Sequence, residues 1–62
     1  MIIDFFFRNK TINQLRKDKG LSARELAVKI NVSPSIILRI DKTKLKNIPE
    51  PLYQKLYNAL EP

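Results

Sequence analysis

Apolar residues recur at intervals of three and four over most of the chain, which is the spacing of one helix face. Ile12 and Leu15 lie on such a face in a helix predicted from about Ile12 to Lys19. Thr11-Ile12-Asn13-Gln14 has the pattern of a capping box, in which threonine and glutamine each bond a free backbone N–H. Gly20 supplies the positive φ that commonly ends a helix. The pattern therefore predicts a short first helix with both ends defined.

A second helix is predicted from about Ala23 to Ile30. It begins with another capping box, Ser22-Ala23-Arg24-Glu25. Asn31 follows, and asparagine is one of the few residues besides glycine that adopts the left-handed conformation. We therefore expect the second helix to end at this residue, with three apolar side chains facing inward: Leu26, Ala27 and Ile30.

A third helix is predicted to begin at Ser33-Pro34, where serine caps and proline takes the first helical position. It runs to about Lys42, with Ile37 and Ile40 inward, and a basic loop over residues 42–47 follows. Prolines 49 and 51 then introduce a fourth helix. The apolar residues of this last helix share one face: Leu52, Leu56, Ala59 and Leu60.

The N-terminal segment Met1–Phe7 has a different pattern. Ile3, Phe5 and Phe7 alternate with the remaining residues, which is the period of a half-buried strand. Arg8-Asn9-Lys10 interrupts any apolar stripe that would continue into the first predicted helix. The pattern favours a short strand, and an irregular arm packed on the core is the alternative.

These elements predict a mainly α fold: a compact four-helix domain over residues 11–62, preceded by a short β-strand or arm over residues 1–10. A core this small seldom supplies more than about 3–5 kcal/mol. The 62 residues include no Cys and no His, so neither a disulfide nor a structural zinc would add to it. We therefore expect a homodimer formed through Ile3, Phe5 and Phe7. The alternative interface is Tyr53 and Tyr57 on the fourth helix.

The same composition limits the chemistry. Thiol nucleophiles, histidine acid–base catalysis and Ser–His triads require residues that the chain lacks. The six acidic residues are scattered along the sequence, so we expect no catalytic residue, no metal site, no cofactor and no enzymatic activity. No apolar run is long enough to span a membrane, and no basic segment precedes the first apolar run as in a secretory signal. The expected location is the cytoplasm.

Charge points to a polyanionic partner. The chain carries 12 Lys and Arg against 6 Asp and Glu, a net charge of +6. Eleven of the basic residues lie between Arg8 and Lys46, with only three acidic residues among them. Clustered basic residues of this kind are typical of nucleic-acid binding, although charge alone fits a solvated surface equally well.

The run from Thr11 to Ile40 contains an ordered set of residues: Leu15, Arg16, Gly20, Leu21, Ser22, Glu25, Leu26, Ala27, Ile30, Val32, Ser33, Ile37 and Ile40. This set resembles the DNA-binding domain of the phage Cro/C1 repressor family. The chain departs from the family at Asn31 and Thr43, where glycine is usual, and at Ala23, where glutamine is frequent. The resemblance implies a helix-turn-helix whose third predicted helix enters the major groove of double-stranded DNA, in a dimer that reads an inverted repeat.

Within that frame, the exposed side of the third predicted helix carries Ser35, Arg39 and Lys42 when it is projected at about 100° per residue. We assign base reading to Arg39, whose fork matches O6 and N7 of guanine. Ser35 reads weakly or bonds a phosphate, and Pro34 offers an apolar surface to a thymine methyl group. Phosphate contacts fall to residues at helix starts and in the basic loop: Ser22, Arg24, Ser33, Lys42, Lys44 and Lys46.

Two apolar residues, Val28 and Leu38, occupy positions that are predicted to be exposed. They leave open a function of a different class, a protein-interaction module such as an antitoxin or anti-repressor that uses these residues and the phenylalanines to bind a protein partner. A peptide that lies on a membrane surface is a third interpretation. The polar and basic outward side of the third predicted helix favours the interpretation as a small dimeric repressor that binds specific DNA sequences.

Overall fold

The computed structural model describes the backbone of residues 2–62 and the side chains of residues 5–62. Its five α-helices are α1 (Ile2–Asn9), α2 (Ile12–Asp18), α3 (Ala23–Ile30), α4 (Pro34–Ile40) and α5 (Leu52–Leu60). A 3₁₀ turn, Leu45–Asn47, lies between α4 and α5. Within these described residues there is no β-strand, and no helix has the length and apolar character needed to cross a membrane.

Helix α1 replaces the strand that was predicted for Met1–Phe7, so that prediction was wrong for the residues that the structure describes. Consecutive side chains on a helix diverge by about 100°, and Phe7 is therefore directed away from Phe5 and Phe6. Phe7 is only 7% exposed and packs edge-on against Tyr57 of α5, with the ring centroids 5.3 Å apart. Phe5 and Phe6 remain about 60% exposed, at 61% and 60%. The contact with α5 joins segments that are far apart in the sequence, so the local alternation of apolar residues could not predict it.

The helices enclose one apolar core to which every helix contributes. Helix α3 packs on α4, and α5 packs on α3 and on the 3₁₀ turn. The α1 helix lies against the 3₁₀ turn as well. The buried residues are Phe7, Ile12, Leu15, Leu26, Ala27, Ile30, Ile37, Leu45, Ile48, Leu56 and Leu60.

The predicted starts of α2 and α3, and the predicted turn residues that follow these helices, are confirmed. In the capping boxes at Thr11 and Ser22, the serine or threonine oxygen accepts from the backbone N–H three residues later, at 3.2 and 3.0 Å. Gly20 and Asn31 have positive φ values of 69° and 60°. No other described residue has a positive φ, so Thr43 does not need the glycine that is usual in the resembled family.

Helix α4 ends at Ile40, about two residues earlier than predicted. The residues that follow bond the first turn of α2 instead of continuing the helix. The carbonyl oxygens of Asp41 and Thr43 accept from the backbone N–H groups of Asn13 and Ile12, at 2.9 and 3.1 Å. These N–H groups have no partner inside α2, because the first N–H groups of any helix are free. The end of α4 is thereby fixed to the start of α2.

Candidate nucleic-acid interface

Helices α3 and α4 pack on each other and are joined by a three-residue turn, Asn31–Ser33. The left-handed Asn31 ends α3, and the N–H of Val32 donates to the carbonyl of Ala27 at 2.9 Å. Val32 is half-buried against the core. Two short helices held by a tight turn of this kind form a helix-turn-helix.

The side of α4 away from its fully buried Ile37 faces solvent. The three residues to which base reading was assigned, Pro34, Ser35 and Arg39, are all exposed. Leu38 lies among them and is 64% exposed. This face therefore presents one guanidinium group, one hydroxyl group and an apolar surface.

Ser33 precedes α4 as predicted, but its hydroxyl group does not cap the helix. The backbone carbonyl of Ser33 already accepts from the N–H of Ile36 at 3.1 Å, so the N–H that the hydroxyl would have capped is used. The hydroxyl oxygen instead lies 2.7 Å from that of Ser35. Only one hydrogen is shared between the two hydroxyls, so the pair keeps one O–H group that can donate to a phosphate or a base.

The basic loop after α4 presents Lys42, Lys44 and Lys46, which are all exposed. The backbone of this loop is bonded to the segment that precedes α2. Leu45 is fully buried, and its N–H donates to the carbonyl of Lys10 at 3.0 Å. An isolated antiparallel bridge joins Thr11 to Lys44. The three ammonium groups therefore extend from a fixed backbone beside the end of α4.

Ser22 and Arg24 are exposed at the start of α3. The Glu25 carboxylate accepts from the backbone N–H of Ser22 at 2.8 Å, and the hydrogen bonds from Ser22 lower the pKa of Glu25. This carboxylate occupies an N–H group that a phosphate at the start of α3 would otherwise bond. The Ser22 hydroxyl group is engaged with the same carboxylate, so the guanidinium group of Arg24 is the better candidate of the two predicted phosphate contacts.

An ion pair that was not predicted from the sequence also holds the end of α4 to α2. The Asp41 carboxylate accepts two hydrogen bonds from the Arg16 guanidinium group, at 2.8 and 3.2 Å, and one from the Asn13 amide at 2.8 Å. Arg16 also donates to the carbonyl of Leu21 at 3.0 Å. The two charged side chains are only 12% and 13% exposed. Together these bonds connect α2, the start of α3 and the end of α4.

The pair alters the electrostatics of the interface. The hydrogen bond from Arg16 lowers the pKa of Asp41 despite partial burial, and the same bond raises the pKa of Arg16. Because the folded-state pKa of Asp41 is lowered, the pair stabilises the fold above about pH 4, and this contribution is lost as the pH falls through the lowered value. Arg16 is neutralised inside the domain and adds no free charge toward DNA. The sequence shows both residues but not that they meet.

The structure also corrects the residues assigned to a dimer interface. Phe7 belongs to the core of its own domain and is not available to a partner. The side chain of Ile3 lies outside the described residues. Phe5 is exposed as the assignment requires, and it packs edge-on against Phe6, with the ring centroids 5.6 Å apart. Phe6, which was expected on the opposite side of a strand, is therefore its neighbour on the exposed surface of α1.

Residues 11–58 match a family model described as a helix-turn-helix domain. The match covers well over half of the chain, which therefore belongs to the helix-turn-helix domain family, a class of DNA-binding domains. Comparison with curated proteins and with solved structures gave no match. The matched segment contains α2, α3 and α4, and it begins after α1. The description covers the helix-turn-helix class and does not distinguish the Cro/C1 type.

Proposed function

We propose that the protein is a transcriptional regulator that binds specific sequences of double-stranded DNA, as a small repressor of the Cro/C1 type. The observation that carries the proposal is the exposed face of α4, which bears Ser35 and Arg39 and is followed at once by the lysines of the basic loop. In a helix-turn-helix the second helix lies in the major groove, which is about 12 Å wide and accepts one α-helix.

The exposed groups divide into two roles. Arg39 donates two hydrogen bonds to guanine, since its planar fork fits O6 and N7 together. The cations beside it cannot distinguish bases when they contact phosphates, so they set affinity and position. Four exposed residues take this second role: Arg24, Lys42, Lys44 and Lys46.

Binding to duplex DNA is expected to depend strongly on salt. Each phosphate contact releases counterions and contributes about −0.9 to the slope of log K against log[salt]. Four phosphate contacts per protomer therefore give a slope near −7 for a dimer and near −4 for a monomer. Fluorescence anisotropy titrations of a labelled duplex at several salt concentrations measure the slope. A slope near zero would contradict the proposal.

We further propose that the protein acts as a homodimer that reads an inverted repeat, with α1 at the interface. The support is the pair of adjacent, exposed aromatic side chains of Phe5 and Phe6, because large apolar groups exposed together favour a protein contact. The alternative interface, Tyr53 and Tyr57, consists of half-buried residues, and Tyr57 already packs against Phe7 of the same domain. A two-fold dimer would set both copies of α4 about 34 Å apart, one turn of duplex.

Replacing Phe5 and Phe6 together with serine is expected to convert the dimer to a monomer and to weaken binding to an inverted repeat. Phe7 is retained in this variant, so the core is intact and the variant folds. Sedimentation velocity measures the mass, and the control is Val28→Ser, which removes an exposed apolar side chain from α3. A double variant that remains a dimer would contradict an interface through α1.

A protein-interaction module, such as an antitoxin or anti-repressor, is the alternative function. One observation favours it: Val28 is 75% exposed on α3, where no role in DNA binding is assigned to it. The two functions differ in their response to salt and to sequence. A module of this kind would show no preference among duplexes and a shallow salt dependence. A regulator is expected to prefer particular duplex sequences and to bind with a steep salt dependence.

A further inference from the structure

A large apolar side chain lies within the basic surface of α4. Leu38 is 64% exposed, a fraction that leaves most of its surface in contact with water. Pro34 precedes it by four residues on α4, so these two side chains form one row along the helix surface, and Lys42 follows just beyond the end of the helix. Arg39 is its neighbour in sequence and lies toward the parallel row that begins at Ser35.

The surroundings of Leu38 define what the side chain can contact. Leu38, Arg39 and Lys42 line one side of a groove, and the start of α2 forms the other side. Asp41 also lines this groove, but its charge is paired with Arg16, so Arg39 and Lys42 are the unbalanced charges there. A partner that covers this side must bring negative charge to the two cations and an apolar group to the leucine. Single exposed apolar residues are common on protein surfaces, but this one lies between the cations of the proposed DNA-binding face.

Duplex DNA meets both requirements with groups that are already close together. Phosphates border the major groove, and the C5-methyl group of thymine is the apolar group that a base edge presents within it. A leucine beside a guanine-reading arginine would cover such a methyl group. Base pairs are about 3.4 Å apart, and α4 rises about 1.5 Å per residue, so the two readers contact neighbouring positions.

We propose that Leu38 is a specificity-determining residue that recognises a thymine methyl group within about two base pairs of the guanine bound by Arg39. The proposal rests on the proposed function and adds a second base position to it. It predicts that each half-site contains thymine at that position. It also assigns the exposed leucine to DNA instead of to a protein partner. A leucine that serves a protein partner would leave DNA binding unchanged when it is replaced.

Uracil substitution provides the test, since it removes the methyl group and leaves the hydrogen-bonding edge of the base unchanged. The probe is a duplex selected from a random pool by the full chain, with the thymine in each half-site replaced by uracil. Loss of one buried methyl group is expected to weaken binding about fourfold per half-site. Leu38→Ala is expected to weaken binding to the thymine duplex and to bind the thymine and uracil duplexes equally.

Val28→Ala is the control, because it shortens another exposed apolar side chain outside the proposed interface and should keep the full response to uracil. Circular dichroism of each variant verifies folding. Three results would overturn the role of Leu38 while leaving DNA binding established. The selected sequence could lack the thymine, the unaltered protein could bind both duplexes equally, or Leu38→Ala could keep the full response to uracil. Failure to select any duplex would overturn the proposed function and, with it, this role.

Discussion

Asp41→Ala is expected to lower the free energy of unfolding by about 3 kcal/mol, because it leaves the Arg16 guanidinium group largely buried without its carboxylate. The two side chains are 12% and 13% exposed, so water replaces the lost partner only in part. A domain of this size has a total stability of about 3–5 kcal/mol. Much of the protein should therefore be unfolded at room temperature, as urea titrations followed by circular dichroism would show.

The chain contains a matched control for this variant. Lys10 and Asp18 form an ion pair at 2.9 Å whose side chains are 47% and 56% exposed. Exposed pairs contribute little, so Asp18→Ala is expected to change stability by less than about 1 kcal/mol. If the two aspartate variants lost the same stability, the Arg16–Asp41 pair would not be what fixes α4 to α2.

Arg39→Ala is expected to weaken binding to a selected inverted repeat by about 1–3 kcal/mol per half-site, because the fork to guanine is lost. A dimer carries the loss twice. The preference for guanine at that position should disappear, while binding to random duplexes should change far less. Competition titrations with duplexes altered at one base pair measure both effects.

Lys44→Ala distinguishes a residue that contacts phosphates from one that recognises a base. Its ammonium group extends from the anchored loop, and we assign it to a phosphate. Its loss is expected to weaken binding to all duplexes alike and to reduce the salt slope by about 1 per protomer. Equal behaviour of Lys44→Ala and Arg39→Ala on selected and random DNA would contradict the division between the two roles.

The parts of the fold that were predicted correctly depend on local signals. The capping box at Ser22 and the left-handed Asn31 fix α3, and Pro34 fixes the start of α4. Each of these signals acts within about four residues of the chain. The exposure of Leu38 and Val28 followed from the same helical projection.

The parts that were missed depend on contacts between distant segments. The end of α4 is determined by its bonds to α2, and Arg16 and Asp41 are 25 residues apart. Helix α1 is determined by the contact of Phe7 with Tyr57. The alternation favoured a strand, but the first seven residues are also a short run that is apolar except for Asp4, and such runs are ambiguous between strand and helix. The tertiary contact decides between them.

Whether α4 reads base sequence is tested by selecting bound sequences from a random pool of duplexes. Bound duplexes are separated by mobility shift, amplified and sequenced over several rounds. We expect enrichment of an inverted repeat whose half-sites lie about 10 base pairs apart, bound at least about 10³-fold more tightly than random DNA at physiological salt. A pool that stays random, or retained duplexes that bind no more tightly than the starting pool, would contradict it.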